Sequence, residues 1–104
     1  GWIAIVMKTP TRKPVPLVDL PNLGPDTVRR LAAAGIRTPA QLRRLGAVGA
    51  ALRLRALRPD DPPCRSRLAG LAGAIRGVRW HALPARERDR LWRDYRRRAG
   101  ENTK

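Results

Sequence analysis

Phenylalanine is missing from this 104-residue chain, cysteine and histidine occur once each (Cys64, His81), and only eight acidic residues stand against 23 basic ones. Each shortage removes a class of protein. One cysteine forms no intramolecular disulfide, and with one histidine beside it there is no zinc set, so disulfide scaffolds and zinc fingers drop out. A lone thiol suits a reducing compartment, and the expected location is the cytoplasm. The longest uninterrupted apolar run, residues 2–7 (WIAIVM), falls far short of the roughly 20 residues that cross a membrane, and no basic stretch precedes it as in a signal peptide. Catalytic sets are missing too. Ser66 is the only serine, no second histidine exists to activate it or Cys64, and no glycine-rich loop runs into Lys-Ser or Lys-Thr to cradle a nucleotide. Asp60 and Asp61 sit side by side among prolines, as turn formers rather than an acid/base pair. His81, next to Trp80, reads as a hydrogen-bonded, partly buried residue. The expectation is a protein that is not an enzyme and takes no cofactor and no metal.

What is abundant is positive charge. The formal net charge is +15, and 20 of the 23 basic residues are arginine. Together with plentiful Ala, Gly and Pro, that preference has the character of GC-rich coding. Coding bias exchanges one cation for another without removing acids, so the surplus points to a polyanionic partner. A chain of this length forms one domain and buries roughly two thirds of its unfolded surface.

Punctuation by Pro and Gly divides the chain. Residues 8–16 (KTPTRKPVP) have three prolines, three cations and no apolar periodicity, so 1–16 is expected to be a flexible N-terminal arm. The folded domain is expected over 17–99, and 100–104 is too polar to dock. Within 17–99 no period-two pattern occurs, and the fold class is all-α: a compact bundle of about five short helices. Pro25 opens the first, which buries Val28, Leu31 and Ala32 and ends at Gly35 in a left-handed cap. Thr38 and Gln41 form a capping box for the second, which Gly46 ends. The third, 47–57, is apolar nearly all round and belongs in the centre of the core. The segment 59–63 (PDDPP) forbids helix. The fourth, about 66–79, carries Leu68, Leu71, Ala72, Ile75 and Val78 as an apolar stripe, with Ala69, Gly73 and Gly77 as a flat ridge beside it. That ridge serves either packing within the chain or a homodimer seam. Pro84 opens the fifth, with Leu91, Trp92, Tyr95 and Ala99 on one face and seven arginines elsewhere.

The stretch 20–28 (LPNLGPDTV), followed by Leu31 and 34–38 (AGIRT), resembles the helix-hairpin-helix pattern, in which a tight turn enters a helix and backbone N–H groups hold one DNA phosphate. The physical reason is general: such a turn aims amide donors and the positive end of a helix dipole at one spot. Asn22 stands where the usual pattern has Gly, and Asn is the next most tolerant of left-handed φ. Over a longer span, residues 20–25, 31–38 (LAAAGIRT), 41–43, 45–48 (LGAV), 74–80 (AIRGVRW) and 83–84 together resemble the C-terminal domain of the TfoX/Sxy competence-regulator family. The resemblance runs from about Val18 to Trp92. It implies an all-helical domain with a helix-hairpin-helix-like (SAM-like) core, tied to regulation of DNA-uptake genes, and no cofactor.

The expected function is therefore a small DNA-binding or DNA-associated regulatory module that contacts the backbone of duplex DNA without sequence specificity. Its candidate contact residues are Asn22, Leu23 and Gly24 in the hairpin, Arg29, Arg30, Arg43 and Arg44 beside it, and Arg96, Arg97 and Arg98 at the end of the last helix. Part of that last helix's charge is expected to pair internally, Asp89 with Arg93 and Asp94 with Arg97 or Arg98. The alternative is a protein–protein interaction module that docks the arginine-rich helix on an acidic regulatory partner. A second copy of the chain is a weaker expected partner, and a membrane is not expected, because the apolar face of the last helix is needed by the core.

Overall fold

The apolar spacing of the sequence requires helices that bury one face each, and the computed structural model, which describes residues 16–100, has this arrangement. The helices are α1 (Pro25–Ala33), α2 (Pro39–Leu57), α3 (Arg65–Arg76) and α4 (Ala85–Arg98). Short 3₁₀ turns at Leu17–Asp19 and Trp80–Ala82 precede α1 and α4, and no strand occurs among the described residues. The arm expected over 1–16, save Pro16, and the tail 101–104 lie outside the described residues.

Local chemistry sets the ends. The Thr38 hydroxyl accepts from the Gln41 N–H (3.1 Å), while Gln41 Oε1 accepts from the N–H groups of Thr38 (3.2 Å) and Arg37 (2.6 Å). This is the expected capping box. Gly35 (φ 86°) and Gly77 (φ 78°) end α1 and α3 in the left-handed region. In each case the next residue's N–H reaches five residues back, Ile36 to Leu31 O (2.8 Å) and Val78 to Gly73 O (2.9 Å), the Schellman arrangement that satisfies a stranded carbonyl.

Three sequence expectations change. The second and third helices follow one another through a single non-helical residue, Gly46 (φ 78°, ψ 166°), so four helical spans replace five. The fourth expected helix stops at Arg76 rather than 79, because the left-handed Gly77 turns the chain out of register. Val78 is consequently 36% exposed instead of lying on the buried stripe. His81 is also exposed, its ring edge-on to Trp80 at 5.7 Å.

The second half of α2 and the whole of α3 form the heart of the core. Val48, Ala50, Ala51 and Leu54 face Leu68, Leu71 and Ala74, with α4 laid across both through Tyr95. Leu31, Ile36 and Leu42 bury the α1–α2 corner completely. No helix among the described residues is long and apolar enough to cross a membrane.

One ion-pair bridge ties α1 to the proline turn. Arg30 contacts Asp26 in its own helix (3.1 Å) and Asp61 across the gap (2.7 Å), and its guanidinium, hydrogen-bonded to Asp61, holds that carboxyl below the usual carboxylate range. A carboxylate with a lowered folded pKa contributes stability above its unfolded pKa and loses it as pH falls through the folded one. Asp61→Asn is therefore expected to be less stable than the parent at neutral pH in urea titrations. The gap should close as the pH is lowered below the carboxylate range.

Candidate nucleic-acid interface

The hairpin at residues 20–25 is built by two residues that do opposite things. Leu23 is buried in the core, at 6% exposure. Asn22 takes φ 72°, the one non-glycine residue with positive φ among those described. Its carboxamide then reaches α3 and the segment that follows it. Nδ2 donates to the carbonyls of Val78 (2.9 Å) and Gly70 (3.3 Å), and Oδ1 accepts from the Trp80 N–H (3.0 Å). A glycine would reach the same backbone angle and make none of these bonds.

α3 is shaped to admit this clamp. Its residue 70 is a glycine, where an added Cβ would lie 3.4 Å from Asn22 Cβ, and at Gly73 it would lie 2.6 Å from Val78 O and 2.7 Å from Asn22 Nδ2. Ala69 is 3% exposed. The first two residues of the small-residue ridge are thus filled within the chain, and the third, Gly77, serves as the helix cap.

Beside the clamp lies a pocket of about 340 Å³, lined by Thr27, Cys64, Ser66, Arg67, Arg79 and Trp80 together with Asn22, Leu23 and Gly70. It gathers the first turns of two helices. The N-cap of α3, Cys64, makes no side-chain cap bond, and no acid stands in that helix's first turn, so the partial positive charge there is left uncompensated by the protein. Arg67 and Arg79 add two guanidiniums that form no salt bridge within the described residues, and Arg67 also borders the neighbouring cleft, where its charge acts on Asp61. The carboxylate of α1's first turn, Asp26, is held by Arg29 (3.3 Å) and Arg30 and lines a different cleft, of about 380 Å³, with Leu54, Leu57 and Asp61. Chemically, the hairpin pocket is suited to a phosphate-sized anion: it offers hydroxyls, helix N-termini and arginines, and no carboxylate.

The sequence-derived contact residues divide accordingly. Asn22 and Leu23 line the pocket, and Gly24 is exposed as the N-cap of α1. Arg29 and Arg30 are engaged by Asp26 and Asp61 on the neighbouring cleft. Arg43 and Arg44 are exposed on the first half of α2. Arg97 and Arg98 share Asp94, as expected, and Arg96 is half-buried.

The family model of the TfoX C-terminal domain matches residues 13–95. The chain belongs to this family. Two crystal structures of Listeria monocytogenes proteins are similar to it, each at 34% sequence identity. One, of an uncharacterized protein in a triclinic form, has a TM-score of 0.74 and an alignment covering 83% of this chain and 96% of its own. The other, of a protein of unknown function in a tetragonal form, has a TM-score of 0.71 and covers 78% and 96%. No curated protein matches the chain.

In this TfoX C-terminal domain, sequence reasoning finds the hairpin and misses its partners. Arg67, in the first turn of α3, and Arg79, just beyond its end, are about 45 and 57 residues from Asn22, and only the fold brings them to it. A signal is nevertheless present: α3 begins after Pro63-Cys64 with neither an acid nor a side-chain cap, whereas the first turns of α1 and α4 carry Asp26 and Glu87 and α2 is capped by Thr38.

Proposed function

We propose that this TfoX C-terminal domain is a non-catalytic module that binds the phosphate backbone of duplex DNA without sequence specificity and acts in transcription or competence regulation in the cytoplasm. The observation that carries the reading is the hairpin pocket, where the first turns of α1 and α3 meet Arg67 and Arg79 and no carboxylate. Two further facts support it. Six carboxylates, Asp26, Asp60, Asp61, Glu87, Asp89 and Asp94, are already ion-paired within the chain, and no charged residue among those described is buried. The regulatory role rests on the family, and the reducing compartment on the single exposed thiol of Cys64.

Duplex binding is expected to weaken with salt, log K falling against log salt with a slope of about −4 to −5 if some five phosphates are engaged. Arg67→Gln with Arg79→Gln should reduce that slope by about 2. Cys64 gives an independent readout, being exposed, unique and part of the pocket wall. Bound duplex should slow its reaction with a thiol reagent several-fold at low salt, and the protection should vanish as salt displaces the DNA. No binding at about 50 mM salt, where the electrostatic attraction is strong, would end the duplex reading, and binding without protection of Cys64 would move the contact away from the pocket.

A further inference from the structure

The arginines of α4 separate by what they touch. Arg88 turns inward, with its guanidinium 5.4 Å from the centre of the Trp80 ring. The helix's three carboxylates are all taken: Glu87 by Arg76 and Asp89 by Arg65, both on α3, and Asp94 by Arg97 and Arg98. The expected pair of Asp89 with Arg93 does not form, because Asp89 reaches across to α3 instead of along its own helix. Arg86, Arg90 and Arg93 are left exposed, with no carboxylate partner among the described residues.

These three arginines form a row. At about 100° and 1.5 Å per residue, positions 86, 90, 93 and the Asp94-bound 97 fall on one strip roughly 16 Å long. The strip lies on the side of α4 opposite Tyr95, which is 1% exposed against the core. Trp80, beneath Arg88 on the inward side, lines the hairpin pocket and donates its N–H to Asn22. The helix therefore stands between the arginine row and the pocket.

We propose that the outer face of α4 is a second phosphate-contacting surface, through which one molecule holds a second duplex segment while the hairpin pocket holds the first. The absence of apolar residues from the row selects the partner. A protein surface binds tightly through buried aromatic or aliphatic anchors, and a membrane-surface helix needs an exposed apolar face. An array of guanidiniums alone gains affinity chiefly by releasing counterions from a regularly charged polymer. This inference rests on the duplex-binding reading above.

The test is capture of a labelled duplex by the full chain on a surface-tethered duplex at about 50 mM salt. The parent is expected to capture. The triple variant Arg86→Gln, Arg90→Gln, Arg93→Gln should still bind the tethered duplex through the pocket, with capture falling about ten-fold or more. The corresponding triple Lys variant should retain capture, because a phosphate accepts either cation. The pocket variant Arg67→Gln, Arg79→Gln should also bind one duplex and lose capture. A parent that binds the tethered duplex without capturing a second, or a Gln triple that captures like the parent, overturns the second surface and leaves the duplex reading standing. A parent that does not bind the tethered duplex at all overturns both.

Discussion

Gly73→Ala is expected to be among the most destabilising single-methyl additions in this domain, and to act against helix propensity. In a helix interior alanine is favoured over glycine by about 1 kcal/mol. Here the added carbon would lie 2.6 Å from Val78 O, 2.7 Å from Asn22 Nδ2 and 3.3 Å from Trp80 Cα. Two of those three atoms are backbone, so relief requires moving the chain rather than rotating a side chain. Overpacking of this kind costs about 3 kcal/mol, at the upper end of its usual range, and removes the propensity gain. For a domain of this size that corresponds to a fall in Tm of roughly 12–24 °C. Gly77→Ala is the useful comparison, since nothing lies within 4 Å of its Cβ position and only the left-handed φ of 78° opposes it; about 1 kcal/mol is expected there. Thermal melts of the two variants decide between clash and strain, and a Gly73→Ala melt equal to that of the parent would remove the close approach between the clamp and α3.

Asn22→Asp is the second large effect, and its size depends on pH. The substitution keeps size and left-handed tolerance, but replaces an N–H donor with an ionised oxygen aimed at the carbonyls of Gly70 and Val78. Two hydrogen bonds are lost and two acceptors are set against a charge, a destabilisation of about 2–3 kcal/mol at neutral pH. The protonated acid can donate to Val78 O, so folding favours the protonated form and raises the folded pKa of the introduced carboxyl above its unfolded value. A raised carboxylate pKa makes the deficit greatest above the folded pKa and smaller as the pH falls towards the unfolded one. Asn22→Gly supplies the charge-free arm: it keeps φ, loses all three bonds and should show a deficit that does not change with pH. Urea titrations at several pH values, compared with the parent at each, measure both. A deficit for the Asn22→Asp variant that is flat with pH would mean that the new side chain no longer faces these carbonyls.

How far the fold was legible in the sequence follows from the range of the interactions involved. Gly35, Thr38, Gln41 and Gly46 act on their own turn or the next, and each does what its local pattern requires. The all-α class and the buried stripes of Leu31, Leu42, Leu68 and Leu71 follow from periodicity alone. The end of α3 was misplaced because Gly77 reads equally well as a small residue on a packing face and as a helix cap; the Schellman bond of Val78 settles it in favour of the cap. On α4 the pairing of Asp94 with Arg97 and Arg98 follows from local spacing, whereas Asp89 goes to Arg65 instead of Arg93 because i,i+4 spacing is visible in a sequence and a partner one helix away is not. Asn22 is the instructive residue. Its tolerance of positive φ was readable, yet its side-chain partners are 48, 56 and 58 residues distant, beyond any local pattern.

That separation also orders events during synthesis. The helices that flank the hairpin leave the ribosome first, but every group that grips Asn22 belongs to Gly70, Val78 or Trp80. A nascent chain ending at Leu57 contains the complete motif sequence with nothing to hold its turn. Completion of the hairpin pocket therefore waits for the second half of the domain, and unfinished chains carry the motif without the pocket.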